Sequence, residues 1–239
     1  LEIINKYLTP NPYSRPGTKL NKVKGIVLHW VANPNSTATA NRNFFENRKA
    51  SRTYGSAHEI IDLNGDIIVC LPKDEMGYHV GSKTYTKDAL EKLSSYPNDC
   101  TYGIECTHMD WDGKMTDETY QSLLNRCTEL CIEFNLNPLT DLWLHKEVVG
   151  WKDCHRWFVN HPSEWGRFKK KVDKQMKGED ELEAVEIDLV NEDDTETVQG
   201  FLVDGRTFIE LRKTGEFLGA QVGWDQKDKK ASLTLKGDK

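Results

Sequence analysis

Three short apolar runs in this chain each end on a side chain that can do chemistry. Lys24-Gly-Ile-Val-Leu-His-Trp30 ends at His29, Thr101-Tyr-Gly-Ile-Glu-Cys106 carries Glu105 near its end, and Asp141-Leu-Trp-Leu-His145 delivers His145. Runs this short, bounded by polar and turn residues, predict buried strands rather than helices. A strand end fixes side-chain direction better than a loop does, so a fold built on these runs presents its polar groups from a rigid edge. The last run continues through Trp143–Phe158, where Gly150 marks a turn, Lys152 follows, and Cys154 stands nine positions after His145. His29, His145 and Cys154 are therefore candidate metal ligands. Two imidazoles and a thiolate make the three protein positions of a catalytic zinc site, with the fourth left for water. Spacing alone does not bring residue 29 to residue 145. Taken singly, each histidine, like His58, His79, His108, His155 and His161, reads as a surface or hydrogen-bonded structural residue.

Between these runs the pattern is mixed. Residues 1–20 contain three prolines and read as an irregular arm. Ser36 or Thr37 caps a predicted helix over about 38–49 with Phe44 and Phe45 inward. Ser56–Leu71 reads as a hairpin turning at Asn64-Gly65. Met76–Gly81 is a glycine-flanked loop. Asp117–Phe134 keeps helical spacing at Tyr120, Leu123, Leu124, Cys127, Cys131 and Phe134, and Asn137-Pro138 ends it. A last helix opens near His161 and runs to about 174.

A charged stretch over 175–186 then separates a domain at 1–174 from a small unit at 187–239. That unit reads as strands near 184–190 and Val198–Val203, a helix from Thr207 to about Leu218, and a hairpin at Gln221–Trp224 and Ser232–Leu235. So small a unit has a marginal core unless it packs on something or dimerises.

Charge narrows the function classes. The net charge of −6 sits mostly beyond residue 172: the first 172 residues carry 22 basic and 21 acidic side chains. No basic stripe argues for nucleic acid. No apolar run approaches the roughly 18 residues of a membrane span, and the start shows no secretory signal pattern, although the chain begins at Leu1 rather than Met. Six cysteines without a secretory signal are expected to be reduced. Cys127 and Cys131 share a helix face and read as core. Cys154 alone lies in a polar, turn-rich context beside a lysine, where a thiolate forms more easily.

Taken in order, Gly25-Ile-Val-Leu-His-Trp30, Tyr54-Gly-Ser-Ala-His58 before Asp62-Leu-Asn-Gly65, Gly77-Tyr-His-Val-Gly81, Tyr102-Gly-Ile-Glu105, and His145 with Lys152-Asp-Cys154 resemble the motifs of the type 2 N-acetylmuramoyl-L-alanine amidases. Phage endolysins, bacterial autolysins and peptidoglycan recognition proteins share this family. The resemblance covers about residues 20–172. It implies an α/β fold with a mixed central sheet flanked by helices, and Zn2+ on His29, His145 and Cys154. Glu105 is implied as the proton-transfer group and Lys152 as the oxyanion-stabilising cation. His79, Trp30, Tyr78 and His58 are implied around the substrate.

One departure stands out: where many members carry a tyrosine, this chain has Ala57, which moves weight to Glu105. The implied substrate is bacterial peptidoglycan, cut between the MurNAc lactyl group and L-alanine, by an endolysin held in the host cytoplasm until lysis. A binding-only recognition module and an L-Ala–D-Glu endopeptidase are the alternatives. Phe201–Arg212 with Gly215–Asp225 resembles the stalk module named from the N-terminus of copper amine oxidases. It implies a small α+β unit for wall binding or dimerisation, without copper.

Overall fold

Strand β2 (Gly25–Trp30) runs beside two parallel neighbours, β5 (Thr101–Cys106) and β6 (Leu142–Leu144), and all three predicted runs are strands. They belong to a six-stranded mixed sheet of order β1-β4-β3-β5-β2-β6. The hairpin of β3 (Glu59–Ile61) and β4 (Ile67–Val69) is its antiparallel part, and the parallel β1 (Ile3–Asn5) closes one edge. The computed structural model describes residues 2–178, 183–190, 195–203, 206–225 and 230–235.

Alternation along the strands assigns the two faces of the sheet. Even-numbered Ile26, Leu28, Tyr102 and Ile104 enter one core with Leu123, Cys127 and Cys131 of α3 (Asp117–Phe134) and Phe168 and Val172 of α7 (Pro162–Met176). Odd-numbered Val27, His29, Thr101, Gly103 and Glu105 therefore face the opposite way. On that side Val27 packs with Trp143, Val148 and Val149, and α1 (Ala38–Ser51) lays Ala38 and Phe45 on Ile60 and Ile68. The start of α3 is stapled to the hairpin turn: Thr116, Thr119 and Ser122 hydroxyls donate to the carbonyls of Leu63, Asp62 and Gly65.

Several sequence expectations need correction. The arm over residues 1–20 contains β1, whose Ile3-Ile4-Asn5 pairs with Ile67–Val69, and Leu8 is fully buried. Phe44 points outward, half exposed, while Phe45 is buried; consecutive helical residues lie about 100° apart and cannot both face one core. Four short helices were not foreseen, α2 (Lys87–Lys92), α4 (Pro138–Asp141), α5 (His145–Val149) and α6 (Arg156–Asn160), all too short for a periodic signal.

The chain divides into two compact units, Leu1–Gly178 and Glu179–Lys239. The second has an antiparallel three-stranded sheet, β7 (Glu183–Val190), β8 (Thr195–Val203) and β9 (Arg206–Ile209). Helix α8 (Leu211–Phe217) and the hairpin β10 (Ala220–Asp225) with β11 (Lys230–Leu235) follow. The helix expected from Thr207 begins four residues later, because Thr-Phe-Ile favours a strand and pairs with β8. The expected 175–186 linker is encroached on from both ends, by α7 to Met176 and by β7 from Glu183; residues 179–182 and Asp204-Gly205 lie outside the described residues. Among the described residues no helix is long and apolar enough to cross a membrane.

Candidate metal centre

The parallel register of β2 and β5 puts His29 directly beside Glu105, both on the face away from α3. His145 arrives from the next strand, at the corner where β6 becomes α5. That corner is fixed by Glu147, whose carboxylate accepts the Leu144 N–H at 2.7 Å and the Trp165 indole N–H at 3.1 Å. Gly150 then turns the chain at φ +84°, a conformation that favours glycine, and Lys146 N–H donates to the Cys154 carbonyl at 2.7 Å. The loop so closed returns Cys154 to the strand ends.

His29 Nδ1 faces Cys154 Sγ at 3.7 Å, and the ring centroids of His29 and His145 are 4.6 Å apart. One ligand atom from each of His29, His145 and Cys154 lies within 4.8 Å of the others, and all three residues are buried. His145 Nε2 has no hydrogen-bond partner, and neither does Glu105 Oε2. Both orphans lie at this one cluster, where an ion or polar ligand would satisfy the imidazole nitrogen. Two imidazoles and a thiol suit a borderline-soft divalent ion. The donor set therefore fits a metal.

The electrostatics keep the two imidazoles neutral, each with a lone pair free to bind. Burial, then His145 and other nearby groups, lower His29 well below the ordinary imidazole range. Burial and Lys152 bring His145 down to about 3. Burial raises Glu105 to about 8, with Lys152 pulling the other way. The expectation of an easily formed thiolate at Cys154 is corrected: only 6 % of the residue is exposed, and burial pushes its thiol up. A bound cation, rather than a polar loop, must supply the stabilisation that its thiolate needs. All six cysteines are unpaired and buried.

A cavity of about 820 Å³ opens over this cluster and is lined by His29, Glu105, His145, Lys152 and Cys154 at one end. Trp30 and Tyr78 also line it. His79 reaches the lining but is enclosed, with both ring nitrogens engaged. His58 does not reach it. That ring is fully buried, receives the Gly103 N–H on Nδ1 at 3.0 Å and places Nε2 2.9 Å from the Glu75 carbonyl, so it is a structural residue and not a substrate contact. His108 and His155 are also buried rather than at the surface, and His161 is half-buried against Trp157.

Ala57 is buried beneath α1, but Tyr54, Tyr78 and Tyr96 line the cavity. Sequence reading missed Phe44, Arg48 and Tyr96 of the lining, and Asn98, whose side-chain oxygen receives the N–H groups of His79 and Val80. Nothing local marks these residues, because each gains its place from a different element.

Residues 19–157 match the family model described as N-acetylmuramoyl-L-alanine amidase, and residues 189–239 match that of the copper amine oxidase N-terminal domain. The chain is 31% identical over 180 residues to N-acetylmuramoyl-L-alanine amidase BlyA of Bacillus subtilis (strain 168), covering 73% of this chain and 47% of that protein. It is 31% identical over 182 residues to the amidase CwlL of Bacillus licheniformis, covering 74% and 48%. The chain thus matches about half the length of these curated relatives. Among solved structures, the catalytic domain of XlyA is similar at 26% identity and TM-score 0.56, over 72% of this chain and 99% of that one. The structure of PlyL, at 20% identity and TM-score 0.57 over 72% and 97%, shares the fold.

Proposed function

The chain belongs to the N-acetylmuramoyl-L-alanine amidase family, and from that premise we propose that it is a zinc-dependent amidase of endolysin type, hydrolysing the MurNAc–L-Ala bond of peptidoglycan. The observation that carries the reading is the buried His29–His145–Cys154 cluster at one end of a cavity that Glu105 and Lys152 also line. Zinc, when bound there, polarises a carbonyl and lowers the pKa of water towards about 7.

The chain's own residues do the rest. Burial holds the Glu105 carboxyl up at about 8 in the metal-free site, and a cation held by the neighbouring ligands would draw it down into the carboxylate form. With an unpartnered oxygen it then takes the proton of the attacking water and delivers it to the departing amine of L-alanine. Lys152 is a fixed cation for the negative charge that develops on the carbonyl oxygen. Trp30 and Tyr78 supply flat apolar surface for sugar or peptide.

The host-cell phase before lysis and the action at the wall follow from the same reading. The 183–235 unit serves wall attachment or self-association; sedimentation of the full chain with and without purified walls separates these.

Mass spectrometry of digested peptidoglycan tests the activity. Fragments with intact MurNAc and new L-Ala amino termini are expected. Cleavage between L-Ala and D-Glu would overturn the bond assignment. Bound zinc with no new amino termini would leave only a peptidoglycan-binding module.

A further inference from the structure

A chain of hydrogen bonds runs from the backbone of β5 through two imidazole rings to the metal cluster. His79 Nε2 lies 3.2 Å from the Thr101 carbonyl and 3.2 Å from Thr101 Oγ1. The Thr101 hydroxyl proton is committed elsewhere, to the Pro97 carbonyl at 2.6 Å. Toward His79, Thr101 therefore offers only lone pairs, and Nε2 must carry the ring proton. A neutral His79 then has a bare Nδ1, which faces His29 Nε2 at 3.1 Å. The proton between them must belong to His29 Nε2. The neutral His29 ring is left with a lone pair on Nδ1, the atom that faces Cys154 Sγ.

We infer that His79 is a positioning residue: it relays the acceptor character of Thr101 to His29, fixing the tautomer that turns the Nδ1 lone pair toward the metal site. Ligating histidines generally need such a partner on the second ring nitrogen, which orients the ring and raises its basicity. Here the partner is another histidine, itself held in place. Asn98 Oδ1 receives the His79 and Val80 N–H groups at 3.1 and 2.9 Å. Gly103 gives the ring its room, because a Cβ there would lie 2.6 Å from His79 Cγ. The glycine between Tyr102 and Ile104 thus clears space for the relay, and His79 acts through His29 rather than on substrate.

This inference rests on the zinc reading, and the experiment separates the two. In zinc-free full-length protein, long-range ¹⁵N–¹H NMR should show His29 and His79 both protonated on Nε2 and bare on Nδ1. Zinc affinity, measured by competition with a chromogenic chelator, should fall about 10–100-fold in His79→Phe, which keeps volume but removes the acceptor. His79→Asn places a carboxamide oxygen near the Nδ1 position and should recover most of the affinity, which a merely space-filling role would not predict. Wild-type protein that binds no zinc would sink the metal reading itself. Zinc bound by the wild type, with His79→Phe within twofold of it or with His29 protonated on Nδ1, would overturn the relay alone. The wild-type NMR assignment decides the matter even if a variant fails to fold.

Discussion

Two buried polar clusters lie on opposite faces of the same sheet, and the contrast between them separates architecture from chemistry. On the α3 face, Glu59 is fully buried, yet Arg126 donates to both of its oxygens from Nε at 3.1 and 2.9 Å and again from Nη2 at 2.6 Å. Tyr102 adds its hydroxyl at 2.7 Å. On the other face, Glu105 of the adjacent strand and His145 at the end of β6 each keep a buried polar atom with no partner. An unsatisfied buried group costs about 1–3 kcal/mol. The fold surrounds one carboxylate with donors and leaves an oxygen of its neighbour without a partner, open toward the cavity.

The contrast breaks or sharpens under substitution. The largest effect is expected from Cys154→Ser, which should lower wall-lytic activity by about 10⁴-fold, or about 5.4 kcal/mol in the barrier. The thermal midpoint of the metal-free protein should stay within about 4 °C, because no structural bond network is lost. Added zinc should raise the midpoint of the wild type but not of this variant. A variant that bound zinc and lysed walls normally would remove Cys154 from the ligand set.

Glu105→Gln comes next. A fall in kcat of about 10²–10⁴-fold is expected with one zinc per chain retained, read by amine release and metal analysis on the same sample. Loss of zinc together with activity would make Glu105 a ligand or a structural group instead.

Arg126→Met inverts the pattern. Stripping the partner from buried Glu59 should cost about 3–5 kcal/mol in urea unfolding, while activity per folded molecule stays within about twofold. Replacing Glu59 as well, by Met, should restore much of the loss. A catalytic collapse in the single variant with stability intact would refute the division between the faces.

The smallest effect concerns a carboxylate outside both clusters. Against the upward push of burial, hydrogen bonds from Lys49 and Thr9 and the charge of Arg42 hold Glu46 down at about 2. Its folded pKa lies below the ordinary value of 4.5, so its stabilisation is present above that value and is lost as pH falls toward 2. Glu46→Gln should flatten the acid limb of the melting midpoint between those pH values and leave neutral-pH activity alone.

Much of this was legible in local pattern. The three strands were readable because their apolar runs are short and bounded, and α3 because Leu123, Leu124, Cys127 and Cys131 repeat at helical spacing. The β1 edge strand was not, since three residues among prolines carry no period and gain their order only from Ile67–Val69. His79 and His58 each follow a glycine by a few residues, yet one meets His29 at 3.1 Å at the edge of the cavity and the other packs on Tyr102 with ring centroids 4.1 Å apart. Which nitrogen meets which carbonyl is invisible in a string of residues.

The sequence by itself determined the chemistry available: a strand-end histidine, a second one followed nine positions later by a cysteine, and a glutamate on a Gly-Ile-Glu strand. These follow from short-range periodicity and turn residues, which act within a few positions of the chain. The tertiary structure decided which of those groups meet and in what state. Convergence of residues 29, 105, 145 and 154 depends on parallel pairing across long crossovers, and burial, not neighbouring residues in the chain, lowers the imidazoles and raises the thiol.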